Sequence, residues 1–274
     1  MSPEPPPTDI PEVDMDKPNA ARMYDFHLGG AHNFAADRML AGQVEQVAPW
    51  VKYVARINRA WLHRVVRFMM DQGVRQFLDL GSGIPTVGNV HEIAQRADPA
   101  VRVVYVDYEA VAVHHSYDLL KDNDNAAVVW ADVRQPRSVL EHAEVGRLID
   151  FSQPVGLLIV GLLLFIDDEY DPAGLVNTYR AACAEGSYLA ISTMSQDEAD
   201  PETAGQLAGL LGLYEGADER ITPRDRATIE SWFAGTTLVE PGLVLLDEWR
   251  QDDRPSTSPA RLLGYGGVGR IGAS

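Results

Sequence analysis

The sequence has 274 residues, which is enough for one large α/β domain with additions or for two small domains at most. Its 46% hydrophobic and 23% charged residues are typical of a soluble globular protein, and its formal net charge of −17 disfavours non-specific binding to nucleic acid or to an anionic membrane surface. The only cysteine, Cys183, excludes an intramolecular disulfide framework and a cysteine-based zinc site, and we expect it to be a buried, inert thiol.

Residues 1–17 contain five prolines and many acids, so we expect a disordered or extended tail. This start lacks the apolar segment of a secretory signal, which favours a cytoplasmic protein. The longest apolar run, residues 155–166, has 12 residues and is too short to cross a bilayer. We divide the remaining chain into a helical extension, residues 18–72, and one large domain, residues 73–274.

Three helices are predicted in the extension. Asn19 and Asn33 are suitable caps for the first two, because asparagine side chains accept hydrogen bonds from the unpaired amides of a helix start. The third helix, over residues 51–71, has an apolar stripe that predicts a buried face. Asn58 is the odd polar member of that stripe.

The stretch QFLDLGSGIPT, residues 76–86, indicates a strand, a glycine turn and the start of a helix. Gly81 and Gly83 let the backbone pass within contact distance of a ligand, and the following helix start offers unpaired N–H groups to an anion. The third glycine of the dinucleotide-binding fingerprint would fall at Thr86. The loop therefore predicts a ligand cradle without naming the ligand.

Strands and helices alternate after this loop, which is typical of βαβ units and a parallel sheet. Further strands are predicted over residues 101–106, 126–131, 155–160 and 187–193, then over 237–239 with 243–249, and finally over 261–268. The predicted fold class is α/β, with a seven-stranded, mostly parallel sheet, helices on both faces and the N-terminal helical extension.

Asp79, Asp107 and Asp132 lie at or near the carboxyl ends of three successive strands, and ligands of open α/β sheets bind outside those ends. Asp107 lies 24 residues after Gly83, about the interval of one helix and one strand, so its carboxylate would reach the ribose hydroxyls of a nucleoside. Asp132 could accept a hydrogen bond from an adenine amino group. Asp79 either faces a cationic end of the ligand or braces the glycine turn.

With these residues in place, the chain resembles the Rossmann-like S-adenosylmethionine-dependent methyltransferases, whose first motif has the form acid-x-Gly-x-Gly. It is more narrowly similar to an actinobacterial methyltransferase family of largely unassigned substrate. The segments that carry this similarity are ARMYDFHLGGAHNFAADR (21–38), GSGIPTVGNVHEIAQ (81–95), VVYVDYEAVAV (103–113) and EPGLVLLDEW (240–249). The resemblance covers almost the whole chain after residue 17. It implies a Rossmann-like fold and S-adenosyl-L-methionine as the cofactor, but it names no methyl acceptor.

The resemblance also implies roles for particular residues. The methionine end of the cofactor would contact Gly81, Ser82 and Gly83. Asp107 would bind the ribose, Tyr108 would stack on the ring, and Asp132 and Val133 would contact the adenine. Gly161, at the end of the central strand, would also bind the cofactor. The segment around Tyr24, Gly29, Gly30 and Asn33 would fold over the pocket as a lid, or would be only a helix end followed by a helix start. Asn58 and Arg59 would close the same pocket, or would be a core asparagine and a surface arginine.

Two absences point away from a nucleic-acid acceptor. The central strand leads into GLLLF, residues 161–165, and not into the Asp-Pro-Pro-Tyr of amino-methylating DNA enzymes. Cys183 lacks the preceding proline of cytosine C5 enzymes. The histidines show no spacing of a known helical metal site, so no metal is predicted. His91, beside Glu92, is the best candidate for an acid–base residue, with a surface histidine as the alternative.

We therefore predict an S-adenosylmethionine-dependent methyltransferase that acts on a small-molecule acceptor, without a nucleic-acid or membrane partner. An NAD-dependent oxidoreductase is the alternative enzyme, although Thr86 and the acid two residues before Gly81 count against it. A non-catalytic sensor of S-adenosylmethionine or S-adenosylhomocysteine is the alternative from another class, favoured by the lack of an obvious base. Neither the acceptor nor the oligomeric state follows from the sequence.

Overall fold

The computed structural model describes residues 10, 13–85, 88–214, 220–251 and 256–272. Most of the tail that is predicted to be disordered lies outside the described residues, and so does Thr86. None of the helices in these ranges is both long enough and apolar enough to span a bilayer. The described chain forms three N-terminal helices, followed by a sheet with helices on both faces.

Helix α1 (Ala20–Leu28) begins and ends where the sequence predicts. The side chain of Asn19 accepts hydrogen bonds from the amides of Ala21 and Arg22, which would otherwise be unpaired. The helix ends at Gly29, whose φ of 88° lies in the left-handed region that favours glycine.

Helix α2 (Ala35–Val47) begins after Phe34, so the prediction of Asn33 as its cap is wrong. The amide of Phe34 donates to Asp37 at 2.7 Å, and this carboxylate takes over the role of a cap. The side chain of Asn33 donates instead to Asp25 at 3.0 Å. A tertiary contact therefore overrides the local capping preference of asparagine.

Helix α3 (Val51–Asp71) has the predicted bounds, and its buried face includes Asn58. The remaining helices of the described chain are α4 (Val90–Ala97), α5 (Ala110–Leu120), α6 (Pro136–Leu140), α7 (Ala143–Leu148), α8 (Pro172–Ala182), α9 (Pro201–Tyr214) and α10 (Arg226–Ser231). Three 3-10 turns cover Leu163–Phe165, Asp168–Tyr170 and Pro259–Leu263.

The sheet contains eight strands in the described chain. They are β1 (Gln76–Leu80), β2 (Arg102–Asp107), β3 (Ala126–Trp130), β4 (Gly156–Val160), β5 (Tyr188–Met194), β6 (Thr236–Leu238), β7 (Val244–Leu245) and β8 (Gly264–Ile271). The order is β3-β2-β1-β4-β5-β8-β6, with β7 also paired to β8. β1 to β5 are parallel, and β8 runs antiparallel to β5.

The α/β prediction is confirmed, with two differences at the end of the sheet. The sheet has eight strands where seven are predicted, because β6 and β7 are separate short strands that each pair with β8. The last strand begins at Gly264, three residues later than predicted, because Pro259–Leu263 forms a 3-10 turn. Ala260 and Leu263 of that turn are buried without being in a strand.

The parallel register places the carboxyl ends of the central strands side by side. Leu80 pairs with Val106 on one side and with Ile159 on the other, and Asp107 pairs with Trp130. The residues that follow these strands therefore meet at one edge of the sheet, where open α/β folds bind their ligands. A hydrophobic core that joins the N-terminal helices to α9 covers this edge.

Candidate active site

The loop after β1 needs glycine at two positions. Gly81 and Gly83 have φ values of 66° and 64°, which side-chain-bearing residues rarely adopt. A Cβ atom on Gly81 would also lie 2.5 Å from Cδ1 of Leu162. The amide of Gly81 donates to the carbonyl of Val106 at 2.8 Å, which fixes the loop against the end of β2.

Asp107, the last residue of β2, also holds this loop in place. One carboxylate oxygen accepts a hydrogen bond from the amide of Gly83 at 2.7 Å, and the other accepts from the amide of Glu109 at 2.9 Å. Asp107 and Gly83 both line one cavity at the carboxyl edge of the sheet. Because a carboxylate oxygen can accept two hydrogen bonds, Asp107 can also bind hydroxyl groups of a ligand in that cavity.

Asp79 is buried in the floor of this cavity. Burial raises the pKa of its carboxyl group to about 7, against the attraction of the Arg59 guanidinium and with a further increase from the charge of Asp107. Arg59 lines the cavity as well, and its guanidinium lies 5.9 Å from the ring centroid of Tyr24. A buried acid and a cation therefore share this end of the cavity.

Asp132 lies on the far side of Asp107 and binds Arg134. Its carboxylate accepts from Nη2 of Arg134 at 2.8 Å and from Nε at 2.9 Å. Partial burial would raise the pKa of Asp132, but the hydrogen bonds and charge of Arg134 lower it below its usual value. The Arg134 guanidinium also lies 5.9 Å from the Tyr108 ring centroid and 4.8 Å from that of Tyr170. This edge of the cavity is thus an aromatic and charged rim.

Asn58, the polar member of the α3 stripe, links the helical extension to the sheet. Its Nδ2 donates to the hydroxyl of Tyr24 at 3.2 Å, and its Oδ1 accepts from the hydroxyl of Ser192 at 2.7 Å. The Ser192 hydroxyl accepts in turn from the amide of Gly161 at 3.1 Å, and the Tyr24 hydroxyl donates to the carbonyl of Ala55 at 3.1 Å. This chain of hydrogen bonds fastens α1 and α3 to the ends of β4 and β5.

The structure brings most of the predicted cofactor residues together around one cavity. Those that line it are Tyr24, Asp79, Gly81, Ser82, Gly83, Asp107, Tyr108, Asp132, Val133 and Gly161. Two predicted members of the lid, Gly30 and Asn33, are not among the described residues of its lining.

Gly30 and Asn33 contact the buried side chain of Asp25 instead. Asn33 Nδ2 donates to Asp25 Oδ2 at 3.0 Å, and the amide of His32 donates to the same oxygen at 2.9 Å. A Cβ atom on Gly30 would lie 1.9 Å from Asp25 Oδ1, so this position requires glycine. Both residues therefore shape the turn between α1 and α2.

His91, the predicted acid–base residue, also lies outside the lining of the cavity among the described residues. It is buried on α4, where its Nδ1 lies 2.8 Å from the hydroxyl of Tyr105. The same hydroxyl accepts from the backbone amide of His91 at 2.8 Å. Burial lowers the pKa of His91, against the attraction of Glu92. This geometry gives His91 a role in packing α4 onto β2.

Sequence reasoning missed a buried ion network beside the site. Arg22 Nε lies 3.0 Å from the carboxylate of Asp37, and Arg22 Nη1 lies 3.3 Å from that of Glu109. All three side chains are buried. Burial raises the pKa of Glu109 to about 7, against the hydrogen bond from Ala112 and the charge of Arg22. The signal lay in the sequence only as an arginine between apolar residues of α1.

The other end of the cavity is lined mostly by apolar side chains, and we call it the apolar chamber. Its walls come from the N-terminal helices, from the turn after β4 and the end of β5, and from α9 with the 3-10 turn before β8. Its walls include Met23, Trp50, Val54, Leu164, Leu210 and Leu263. In sequence these residues are indistinguishable from ordinary core positions, so the chamber was not predicted.

The sheet is mostly parallel and ends in an antiparallel strand, and acids at the strand ends lie with a glycine loop around one cavity. This arrangement defines the class of Rossmann-like, nucleoside-binding α/β enzymes. The family model described as S-adenosyl methyltransferase matches residues 7–272. The chain belongs to this family of S-adenosylmethionine-dependent methyltransferases. No curated protein matches the sequence.

Solved structures agree with this assignment. A candidate methyltransferase from Thermobifida fusca YX is 42% identical, with a TM-score of 0.89 over 96% of this chain and 98% of that one. A DUF574 family protein from Streptomyces avermitilis MA-4680 is 32% identical, with a TM-score of 0.89 over 95% of this chain and all of the other. N-methyltransferase NodS from Bradyrhizobium japonicum WM9, solved with S-adenosyl-L-homocysteine, shares the fold at 12% identity and a TM-score of 0.50, over 86% of this chain and 98% of that one.

The residues of the cavity fit S-adenosylmethionine. Ser82 Oγ and Arg59 Nε are buried polar atoms that lack a hydrogen-bond partner among the described residues, and both side chains line the cavity. A Cβ atom added to Gly83 would meet nothing within 4 Å, so space is open beside the loop backbone. The cofactor carries a charged amino-acid end that suits these polar groups and a nucleoside end that suits Asp107 and the aromatic rim. Neither the oxidoreductase nor the sensor alternative gains support from the comparisons.

Proposed function

We propose that this protein transfers the methyl group of S-adenosylmethionine to a small-molecule acceptor bound in the same cavity. The observation that carries the proposal is the convergence of Gly81–Gly83, Asp107 and the Asp79 and Arg59 pair on one end of a cavity whose other end is apolar. One end then holds the cofactor and the other remains for an acceptor. The net charge of −17 favours a small molecule over a nucleic acid.

In this proposal the charged residues divide the cofactor between them. Asp107 accepts hydrogen bonds from the ribose hydroxyls. Asp79 faces the ammonium group of the methionine end, and Arg59 faces its carboxylate, since charge-assisted hydrogen bonds are the stronger ones. Tyr108 lies against the adenine ring. Asp132, which also accepts a hydrogen bond from Arg134, and Val133 lie at the edge of the adenine. Ser82 and Gly161 complete the backbone cradle.

The helical extension, residues 18–72, acts as a lid over the cofactor domain, residues 73–274. Tyr24 supplies the lid contact, while Gly30 and Asn33 shape the turn behind it. The Asn58 hydrogen bonds hold this lid on the sheet. A closed lid excludes water from the reacting atoms and keeps the acceptor in place.

When bound, S-adenosylmethionine supplies a methyl group already activated by the positive sulfonium sulfur. The chain therefore needs no covalent intermediate of its own, and its residues act by alignment and by exclusion of water, which can supply about 7–11 kcal/mol of barrier reduction at the upper end. His91 is not assigned as a base, because it is not among the described residues of the cavity lining and its Nδ1 contacts the Tyr105 hydroxyl. A base matters only for an acceptor that must lose a proton on methylation.

The proposal is tested by incubating the protein and cell extract with methyl-labelled S-adenosylmethionine. We expect label to leave the cofactor and to appear in a small-molecule fraction, and we expect the Asp107→Ala variant to transfer much less. Calorimetric titration with S-adenosylhomocysteine measures the binding step alone. Binding without any transfer of label would contradict the proposed activity, and the lack of binding would contradict the cofactor site itself.

A further inference from the structure

Among the residues that the structure describes, the walls of the apolar chamber contain no Asp, Glu, Lys or Arg side chain. Its walls are hydrocarbon and aromatic side chains, of which Met23, Leu210 and Leu263 are almost completely buried. The charged side chains that line the cavity are Arg59, Arg134 and four carboxylates, and these lie at the cofactor end, on or just after the strand ends and beside them on α3. A ligand in the chamber is therefore separated from the charged side chains that the structure describes in the cavity lining.

His27 is the one imidazole among the described residues of the cavity lining. Its Nδ1 lies 3.4 Å from the carboxylate of Glu45, and Lys52 binds that carboxylate from outside at 2.9 Å. Burial lowers the pKa of His27, Glu45 opposes that decrease, and the charge of Lys52 adds to it. Burial therefore disfavours the charged imidazole, and the nearby Glu45 carboxylate makes this side of the cavity unfavourable for an anionic ligand.

The chamber has little hydrogen-bonding capacity to spare. Trp50 Nε1, Thr193 Oγ1 and His27 Nδ1 are buried atoms of the lining residues without a hydrogen-bond partner in the described part of the chain. The hydroxyl of Tyr214 already lies 3.6 Å from the sulfur of Met23. At most about three polar atoms of a ligand could be matched here, whereas a highly hydroxylated or ionised ligand would lose its hydration without compensation.

We infer that the apolar chamber is the acceptor site and that it takes an uncharged, predominantly apolar molecule. This inference rests on the proposed function and names its substrate class. The group to be methylated would lie toward Asp79 and Gly81, at the junction with the cofactor end, and the hydrocarbon part would lie between α3 and α9. Sugars, nucleotides and carboxylate metabolites are excluded by the same chemistry.

Two fluorescent probes test the charge requirement directly. N-phenyl-1-naphthylamine is uncharged and apolar, and 8-anilino-1-naphthalenesulfonate has the same rings with one added sulfonate. We expect the uncharged probe to bind and brighten, and the sulfonate to bind about tenfold more weakly or worse, because the chamber cannot compensate a buried charge. Equal or tighter binding of the sulfonate at the same site would overturn the inference.

A variant locates the probe. Val54 lines the chamber and is half-buried, so Val54→Trp fills space there, whereas Met39→Trp places the same residue at a position of α2 that is 68% exposed. We expect Val54→Trp to weaken binding of the uncharged probe at least about tenfold and Met39→Trp to leave it unchanged. Unchanged binding in Val54→Trp would place the probe elsewhere and contradict the inference. Thermal unfolding checks that both variants are folded. If Val54→Trp does not fold, Val51→Phe replaces it as the variant that fills the chamber.

S-adenosylhomocysteine separates the inference from the proposed function. Saturating S-adenosylhomocysteine should leave probe affinity unchanged or raise it, because the two ligands occupy different ends of the cavity. Displacement of the probe would mean that it binds at the nucleoside end, which contradicts the inference alone. Failure of S-adenosylhomocysteine to bind in calorimetry would contradict the proposed function, whatever the probe does.

Discussion

The amide of Gly83 donates to the carboxylate of Asp107 at 2.7 Å, which joins the loop after β1 to the end of β2. These residues are 24 positions apart in sequence, and the parallel pairing of the two strands brings them together. The acid that we propose for ribose binding thus also holds the glycine loop in its ligand-accepting shape.

Replacement of Asp107 should therefore affect cofactor binding strongly. Charged hydrogen bonds contribute about 1.5–3 kcal/mol, so we expect Asp107→Ala to weaken S-adenosylhomocysteine binding about 10- to 100-fold. Calorimetric titration measures this change. Asp122→Ala, which removes an exposed acid after α5, is the matched control and should bind normally. Normal affinity in Asp107→Ala would remove the ribose assignment.

Asp79 predicts a particular pH dependence of stability. Its pKa is raised to about 7 in the folded protein from 3.8, so the folded state binds this proton more tightly than the unfolded chain does. The stabilising contribution is present below about pH 4 and is lost as the pH rises to about 7. We expect Asp79→Asn, compared with the parent in urea unfolding at pH 5 and pH 8, to lose less stability over that interval. The same loss in both proteins would show that Asp79 does not titrate there.

Asn58 should prove to be a structural joint. In Asn58→Leu the buried Ser192 hydroxyl loses its acceptor and Tyr24 loses a donor, which should cost about 1–3 kcal/mol of unfolding free energy. S-adenosylhomocysteine affinity should also fall, because the helical extension is less firmly held. Tyr24→Phe removes one hydroxyl only and is expected to cost about 0.5–1.5 kcal/mol. Equal stability of Asn58→Leu and the parent would contradict the role of Asn58 in linking the helical extension to the sheet.

His91 should matter for stability and little for the cofactor. Loss of the ring from His91→Ala removes a hydrogen bond to the buried Tyr105 hydroxyl and leaves a cavity, so we expect a loss of about 1–3 kcal/mol with unchanged S-adenosylhomocysteine affinity. A double-mutant cycle with Tyr105→Phe should give a coupling energy of at least about 0.5 kcal/mol. A variant that is as stable as the parent but inactive in methyl transfer would restore the catalytic role.

Cys183 should be unreactive in the native protein. Burial raises the pKa of its thiol to about 12, with a small opposing effect of Arg180, so almost no thiolate exists at neutral pH. We expect iodoacetamide at pH 7.5 to label the unfolded chain and not the folded one, as mass spectrometry would record. Cys183→Ser should bind S-adenosylhomocysteine normally. Cys183 is half-buried and not fully buried as the sequence predicts, so fast labelling of the folded protein would contradict the raised pKa of its thiol.

The strands and the nucleoside end could be predicted because their signals are local. Apolar runs such as residues 155–160 predict buried strands, and the pair Gly81 and Gly83 with an acid two residues earlier predicts a backbone cradle. The acids Asp107 and Asp132 follow from strand spacing alone. The structure places all of these at the same cavity.

Features that depend on distant contacts were not predictable. Asparagine is a common helix-capping residue, but the side chain of Asn33 donates a hydrogen bond to Asp25 instead. Histidine is a common acid–base residue, but only the fold reveals that the Tyr105 hydroxyl lies beside the ring of His91. Arg22 reaches Glu109 across 87 positions of sequence, and no local pattern indicates such a pair.

The apolar chamber is built from opposite ends of the chain. Met23 and Tyr214 touch in its wall, with the Tyr214 hydroxyl 3.6 Å from the Met23 sulfur although 191 positions separate them, and Leu263 adds to the lining from still further along the sequence. During synthesis the nucleoside cradle of residues 76–133 leaves the ribosome long before the last chamber wall does. If the apolar chamber is the acceptor site, a chain that lacks residues 201–263 would therefore hold most of the cofactor site without the acceptor site, and it should bind S-adenosylhomocysteine better than it transfers methyl groups.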